Sequence, residues 1–132
     1  MKFESKTFEN LKKTKQQKII KAAMREFAEH GFRNASTNKI VKLAGISKGS
    51  LFKYFETKEK LFFYLLEIVF EKIINDLKKY TFPSDLLERI DFILEIGFDF
   101  YEKHPDLYRF IISIATEEEQ EMFAKVLSRF SS

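Results

Sequence analysis

Residues 36–60 read STNKIVKLAGISKGSLFKYFETKEK. The order of apolar and capping residues in this stretch predicts a short helix, a tight turn, a second short helix and the start of a third. Ser36 or Thr37 can open the first helix by accepting a backbone N–H that has no partner inside it. Ile40, Leu43 and Ala44 then fall at helical spacing along one apolar side. Gly45 stands where the chain must reverse with positive φ, a conformation cheap only for glycine, and Ile46 plugs the turn. Ser47 caps the second helix, and Leu51 and Phe55, four apart, form its inner edge. Thr57 caps the next, with Glu59 in its first turn complementing the helix dipole. The layout is that of a helix-turn-helix, which sets its second helix into a DNA major groove.

The outward positions of that second helix are Lys48, Gly49, Ser50, Phe52, Lys53 and Tyr54. Lysine neutralises phosphate, serine hydrogen-bonds a base or a phosphate, and Tyr54 has a hydroxyl to offer a phosphate oxygen. Gly49 lets the backbone come close to a duplex. On spacing alone, the same residues also describe an ordinary three-helix core with a solvated basic face.

The phrase IIKAAMREFAEHGF at Ile19–Phe32 leads into this stretch. With Thr37, Ile40, the run from Ala44 to Leu51, Tyr54, Phe55, Lys58, Glu59 and Leu61, it resembles the DNA-binding domain of the TetR family of transcriptional repressors. The match runs from Thr14 to Leu65 without a gap. The resemblance implies an all-α fold: a three-helix helix-turn-helix domain joined by a long fourth helix to a partial helical ligand-binding and dimerisation domain. It divides the chain into residues 1–60, with a basic leader at 1–13, and residues 61–132. The implied partners are a near-palindromic double-stranded operator, a second copy of the chain and a small-molecule effector that releases the DNA. Lys48, Ser50 and Lys53 would face the groove, with Gly49 allowing close approach and Asn38 reaching a base edge or a phosphate. Ser36, Thr37, Tyr54 and Lys58 would clamp the backbone. Two residues depart from the family pattern. Val41 replaces a small alanine between the crossing helices. Phe52 replaces a tyrosine, so a phosphate hydrogen bond is lost or becomes apolar contact with a sugar or a thymine methyl.

Composition agrees with helices. Four glycines and two prolines in 132 residues leave few breaks, and alternating β-branched runs are scarce. The net charge of +3 hides an asymmetry, because residues 1–60 carry 15 Lys and Arg against 6 Asp and Glu, while residues 61–132 carry 8 against 14. The basic half coincides with the helix-turn-helix, as a polyanion-binding half should. Cysteine is absent, which removes disulfides and thiolate metal sites. The N-terminus lacks the apolar run of a signal peptide, and the runs Leu61–Leu66 and Phe110–Ala115 fall well short of the roughly 20 residues of a membrane span. A cytoplasmic protein without membrane contact is expected. No catalytic motif joins His30 and His104, so no enzyme, cofactor or metal is expected. The glutamates at 117, 118, 119 and 121 read as a helix-start complement to the dipole.

The leader at 1–13 is read either as a disordered tail or as an arm reaching a neighbouring groove. A helix is expected from Thr14, with Gln17 completing a capping box, an apolar stripe including Ile19, Ala23, Met24 and Phe27, and an end at Gly31. The fourth helix should run from Lys58 to Lys79, about 30 Å. Its first half closes the DNA-binding core, and its second half (from Ile68 to Leu77) packs elsewhere. After the break at 81–84, Ser84 or Asp85 caps a helix whose core stripe is Leu86, Leu87, Ile90, Ile93, Leu94 and Phe98. His104-Pro105 marks a boundary before a helix to Ala115 and a last one over 117–130.

The acidic half is rich in aromatics. Phe70, Phe92, Phe98, Tyr101 and Phe110, with Glu95 and Asp99 as polar groups, are the candidates for an apolar or aromatic effector. Aromatic stripes at helical spacing equally describe plain core. Members of the resembled family extend further, so the chain is read as a truncation or as a protein that dimerises through another surface. The rival function is a helical interaction protein, or one that binds anionic surfaces without choosing an operator.

Overall fold

The computed structural model describes residues 5–114 together with Glu121, Ala124, Lys125 and Ser128. The described residues form seven helices: α1 (Lys6–Glu9), α2 (Lys13–Asn34), α3 (Thr37–Ala44), α4 (Lys48–Tyr54), α5 (Lys58–Leu77), α6 (Leu86–Lys103) and α7 (Pro105–Ile114). They contain no strand, and the fold is all-α as expected.

From Ser5 onward the leader is neither tail nor arm. Ser5 caps the single turn of α1 by accepting the Phe8 N–H, and Phe8 is fully buried. The Phe8 ring meets Phe55 at 5.0 Å, Tyr64 at 5.4 Å and Tyr54 at 6.2 Å. The ring partners of Phe8 lie far along the chain, so the anchor could not be read from its charged surroundings in the sequence. The capping box expected at Thr14 does not form either. The helix begins at Lys13, with no side-chain cap from Lys12. The Gln16 amide instead donates to the carbonyls of Glu9 (3.0 Å) and Leu11 (2.8 Å), tying α1 to α2.

In α2, Ile19, Ala23, Met24 and Phe27 are buried. Gly31, at φ 73° and ψ 176°, breaks the helical track, and one further turn reaches Asn34 through the Ala35 N–H to Gly31 carbonyl bond. That reversal lets Phe32 turn back onto Phe62, with ring centroids 5.2 Å apart. α5 buries Leu61, Phe62, Leu65, Leu66 and Val69, while Ile74 near its end is half exposed. α7 lies along α2, and its fully buried Phe110 packs 5.6 Å from Phe62 and 6.4 Å from Phe27. Each such buried aromatic stabilises by about 1.5–3 kcal/mol.

α6 differs from expectation in which side is inside. Asp85 caps it, accepting the Glu88 N–H at 3.2 Å, and the helical period is as read. The anticipated core stripe, however, is open: Leu87 is 73% exposed, Leu94 66% and Phe98 66%. The half-buried side is that of Phe92, Ile96 and Phe100. The apolar arc of α6 is wider than one packing side, so the helical period does not say which part of that arc packs first. The helix expected over 117–130 and most of its glutamate cluster lie outside the described residues. Among the described residues no helix is long and apolar enough to cross a membrane.

Candidate nucleic-acid interface

The helix-turn-helix is built from local hydrogen bonds that the sequence dictates. The Ser36 hydroxyl accepts the Lys39 N–H at 3.2 Å and starts α3, settling the choice between Ser36 and Thr37. Gly45 takes φ 70°, ψ 33° at the end of α3, which lets the Ile46 N–H return to the Val41 carbonyl at 3.1 Å. These bonds satisfy carbonyls that a helix end otherwise leaves open. Ser47 then caps α4, accepting the Ser50 N–H at 3.1 Å and donating its hydroxyl to Ser50 Oγ at 2.8 Å. Thr57 caps α5 through the Lys60 N–H at 3.1 Å.

α4 has two unlike sides. Leu51 is 1% exposed and Phe55, which follows the helix, is 4% exposed; both seat α4 on the core. Lys48, Gly49, Phe52 and Lys53 are exposed, and Ser50 and Tyr54 are half-buried at the edges. A Cβ placed on Gly49 meets only Ser47 Oγ, at 4.0 Å. Nothing inside the protein therefore asks for glycine there, and any demand for it must come from outside. Exposed Asn38, Lys39 and Lys42 extend the polar surface along α3, while Ser36 and Thr37 are half-buried at its start. A short helix with two cations, a bare backbone position and an apolar ring at the surface can meet phosphates and base edges at once.

Lys58 is not free in the way the sequence implied. Its ammonium donates to the carbonyls of Arg33 (3.1 Å) and Ala35 (3.3 Å) and sits 4.9 Å from the Phe32 ring centroid. It closes the C-terminal end of α2, where a cation complements the dipole. Tyr54 also has an inward duty, with its ring against Phe8 and its carbonyl accepting the Ser5 hydroxyl at 2.6 Å.

Sequence reasoning missed Glu26. Its side chain is almost fully buried in α2, and its Oε2 accepts the Ser36 N–H at 2.8 Å, with His30 Nε2 3.8 Å from the other oxygen. The only hint was a carboxylate on the apolar side of α2, two positions from Met24 and next to Phe27. Lys39 and Lys42, three apart on α3, form an exposed basic pair.

The seven effector candidates do not converge on one site, although Glu95, Phe98 and Asp99 share an open surface groove on α6 with Leu94 and Glu102. Phe110 belongs to the aromatic core, Phe98 is exposed, and Tyr101 is exposed with its ring 5.1 Å from Tyr108. Phe92 packs edge-on to Tyr80 (5.6 Å) and Phe82 (5.4 Å), and Asp99 pairs with Lys103 at 2.9 Å. Phe70 is half-buried and Glu95 exposed. A cavity of about 240 Å³ does lie between α5, α6 and α7, walled by Ile73, Leu77, Tyr80, Ile96, Phe100 and Tyr108. Of the seven candidates only Asp99 reaches it.

Comparison with known proteins points the same way as the fold. Residues 19–65 match the family described as bacterial regulatory proteins, tetR family. Nucleoid occlusion factor SlmA from Mannheimia succiniciproducens is 30% identical over 122 residues, covering 89% of this chain and 55% of that protein. The uncharacterized HTH-type transcriptional regulator YdgC of Bacillus subtilis is 27% identical over 108 residues, 78% of this chain and 55% of that one. The chain thus spans about half the length of the curated relatives it matches. Among solved structures, a TetR family transcriptional regulator from Chloroflexus aurantiacus superposes with a TM-score of 0.76 at 28% identity, over 86% of this chain and 54% of that one. The fatty acid degradation regulator FadR from Bacillus halodurans gives 0.58 at 26% identity, over 90% and 61%. Across residues 19–65 the chain thus carries the helix-turn-helix of the tetR family of bacterial regulatory proteins, and over most of its length it is similar in structure to a TetR family transcriptional regulator.

Proposed function

We propose that this chain carries the DNA-binding and regulatory helices of a transcriptional repressor that acts in the cytoplasm as a homodimer on a near-palindromic operator. Residues 1–60 read the DNA and residues 61–132 regulate it. α4 enters the major groove with Gly49, Ser50 and Lys53 toward the bases, Lys48 against an adjoining phosphate and Phe52 against a sugar or a thymine methyl. Asn38, Ser36, Thr37 and Tyr54 hold the flanking backbone. The observation that carries this reading is the division of α4: Leu51 buried beneath it, and Lys48, Gly49, Phe52 and Lys53 left open above it. The effector is a small apolar or aromatic molecule, and the cavity between α5, α6 and α7 is the place for it. α5 runs from that cavity into the DNA-binding core, so movement at one end reaches the other.

Selection of duplexes from a random pool at moderate salt tests this reading, with anionic vesicles as a control. Enrichment of one near-palindrome supports the repressor. Equal binding to every duplex, or binding to vesicles alone, supports an anionic-surface protein without operator choice. The similarity to a nucleoid occlusion factor extends beyond the family-matched segment. It makes nucleoid occlusion a second reading that uses the same DNA-facing side of α4.

A further inference from the structure

A second cavity, of about 460 Å³, opens between α2, α5 and the corner where α6 meets α7, a size suited to a small molecule. Its floor is apolar: Ile20 and Met24 from α2, Ile68 from α5 and Leu107 from α7. Its mouth carries Lys18 and Lys21 from α2 and Lys72 from α5. None of these three lies within 4.0 Å of a carboxylate among the described residues. Lys103, also at the mouth, is already neutralised by Asp99 at 2.9 Å. Asp106 supplies the acid on the rim and His104 lies beside it, so the opening keeps a net positive charge. Lysine stems lie along apolar walls while their ammoniums stay at the water boundary. The result is an apolar pit whose rim carries a net positive charge.

We propose that this cavity binds an amphipathic anion, a carboxylate carried on an apolar body. The apolar part fills the pit over Met24 and Leu107, and the carboxylate meets Lys21 and Lys72 from opposite walls. Neutral and cationic molecules of the same shape gain the burial but not the ion pairing. The site is separate from the cavity between α5, α6 and α7, and its occupancy does not depend on DNA binding. An occupant touches α2, α5 and α7 together, and so bridges the basic half and the acidic half.

Decanoate, decanol and decyltrimethylammonium, each kept below its aggregation concentration, are titrated into the 132-residue chain and followed by amide proton–nitrogen correlation spectra. Decanoate is expected to move the amides of Lys21, Met24, Lys72 and Leu107, and to bind at least about tenfold more tightly than decanol. The double variant Lys21→Gln, Lys72→Gln should lose about tenfold in decanoate affinity and keep its affinity for decanol, which also reports that it is folded. Equal affinity of the natural chain for decanoate and decanol overturns the proposal without any variant. So do shifts centred on the exposed Leu87 to Phe98 side of α6, or on Tyr80 and Phe100.

Discussion

The Glu26 carboxylate accepts the backbone N–H of Ser36 at 2.8 Å, so α2 holds the N-terminus of α3 in place. Ser36 is itself the cap of α3, and α3 supports the turn that aims α4. Replacing Glu26 by alanine leaves the Ser36 amide without its acceptor. Unfolding free energy should fall by about 1–3 kcal/mol. Glu26→Gln keeps an acceptor and should lose less. Urea unfolding of both variants checks the order, and equal losses would remove the hydrogen bond as the cause.

Phe8 and Ser5 join the start of the chain to the end of α4. Phe8→Ala empties a fully buried site and should cost about 3–5 kcal/mol. Ser5→Ala removes both the hydrogen bond to the Tyr54 carbonyl and the cap on the Phe8 N–H and should cost about 1–2 kcal/mol. A Phe8→Ala protein that melts like the parent would show that the N-terminal turn is not part of the core.

Gly49 separates folding from binding. Its added Cβ has room inside the protein, so Gly49→Ala should stabilise α4 by up to about 1 kcal/mol. If Gly49 faces a duplex closely, the same methyl should weaken specific binding by about tenfold. A melting scan and a binding isotherm on one sample decide it. Unchanged affinity would move Gly49 out of the interface.

Lys58 and Lys48 should behave differently although both are lysines of the basic half. Lys58→Ala removes two hydrogen bonds and a ring contact within the protein, so it should cost stability, about 1–3 kcal/mol, and leave the salt slope of DNA binding nearly unchanged. Lys48→Ala should spare stability and reduce that slope by about 0.9 for one lost phosphate contact. The reverse pattern would restore Lys58 to the DNA backbone.

Helix positions bounded by local chemistry were legible in the sequence. Gly45, Ser47, Thr57 and the residues at 104 and 105 set boundaries through backbone geometry and caps, which act within four residues. What the sequence hid depends on distant partners. Phe8 gains meaning only beside Phe55 and Tyr64, Glu26 only beside Ser36, and Lys58 only beside the carbonyl end of α2. The effector candidates misled for a related reason. Aromatic residues on α6 and α7 mark apolar surface but not which side of a helix meets a cavity, so Phe110 became core while Tyr80, Phe100 and Tyr108 became walls.

The DNA-facing side of α4 is tested most directly by repeating the duplex selection with Lys53→Gln. Lysine in the major groove favours guanine acceptors, whereas glutamine favours adenine. The variant should enrich a near-palindrome altered at one symmetry-related position in each half-site and otherwise unchanged. Recovery of the parent sequence by the variant, at undiminished enrichment, would contradict the placement of α4 against the bases.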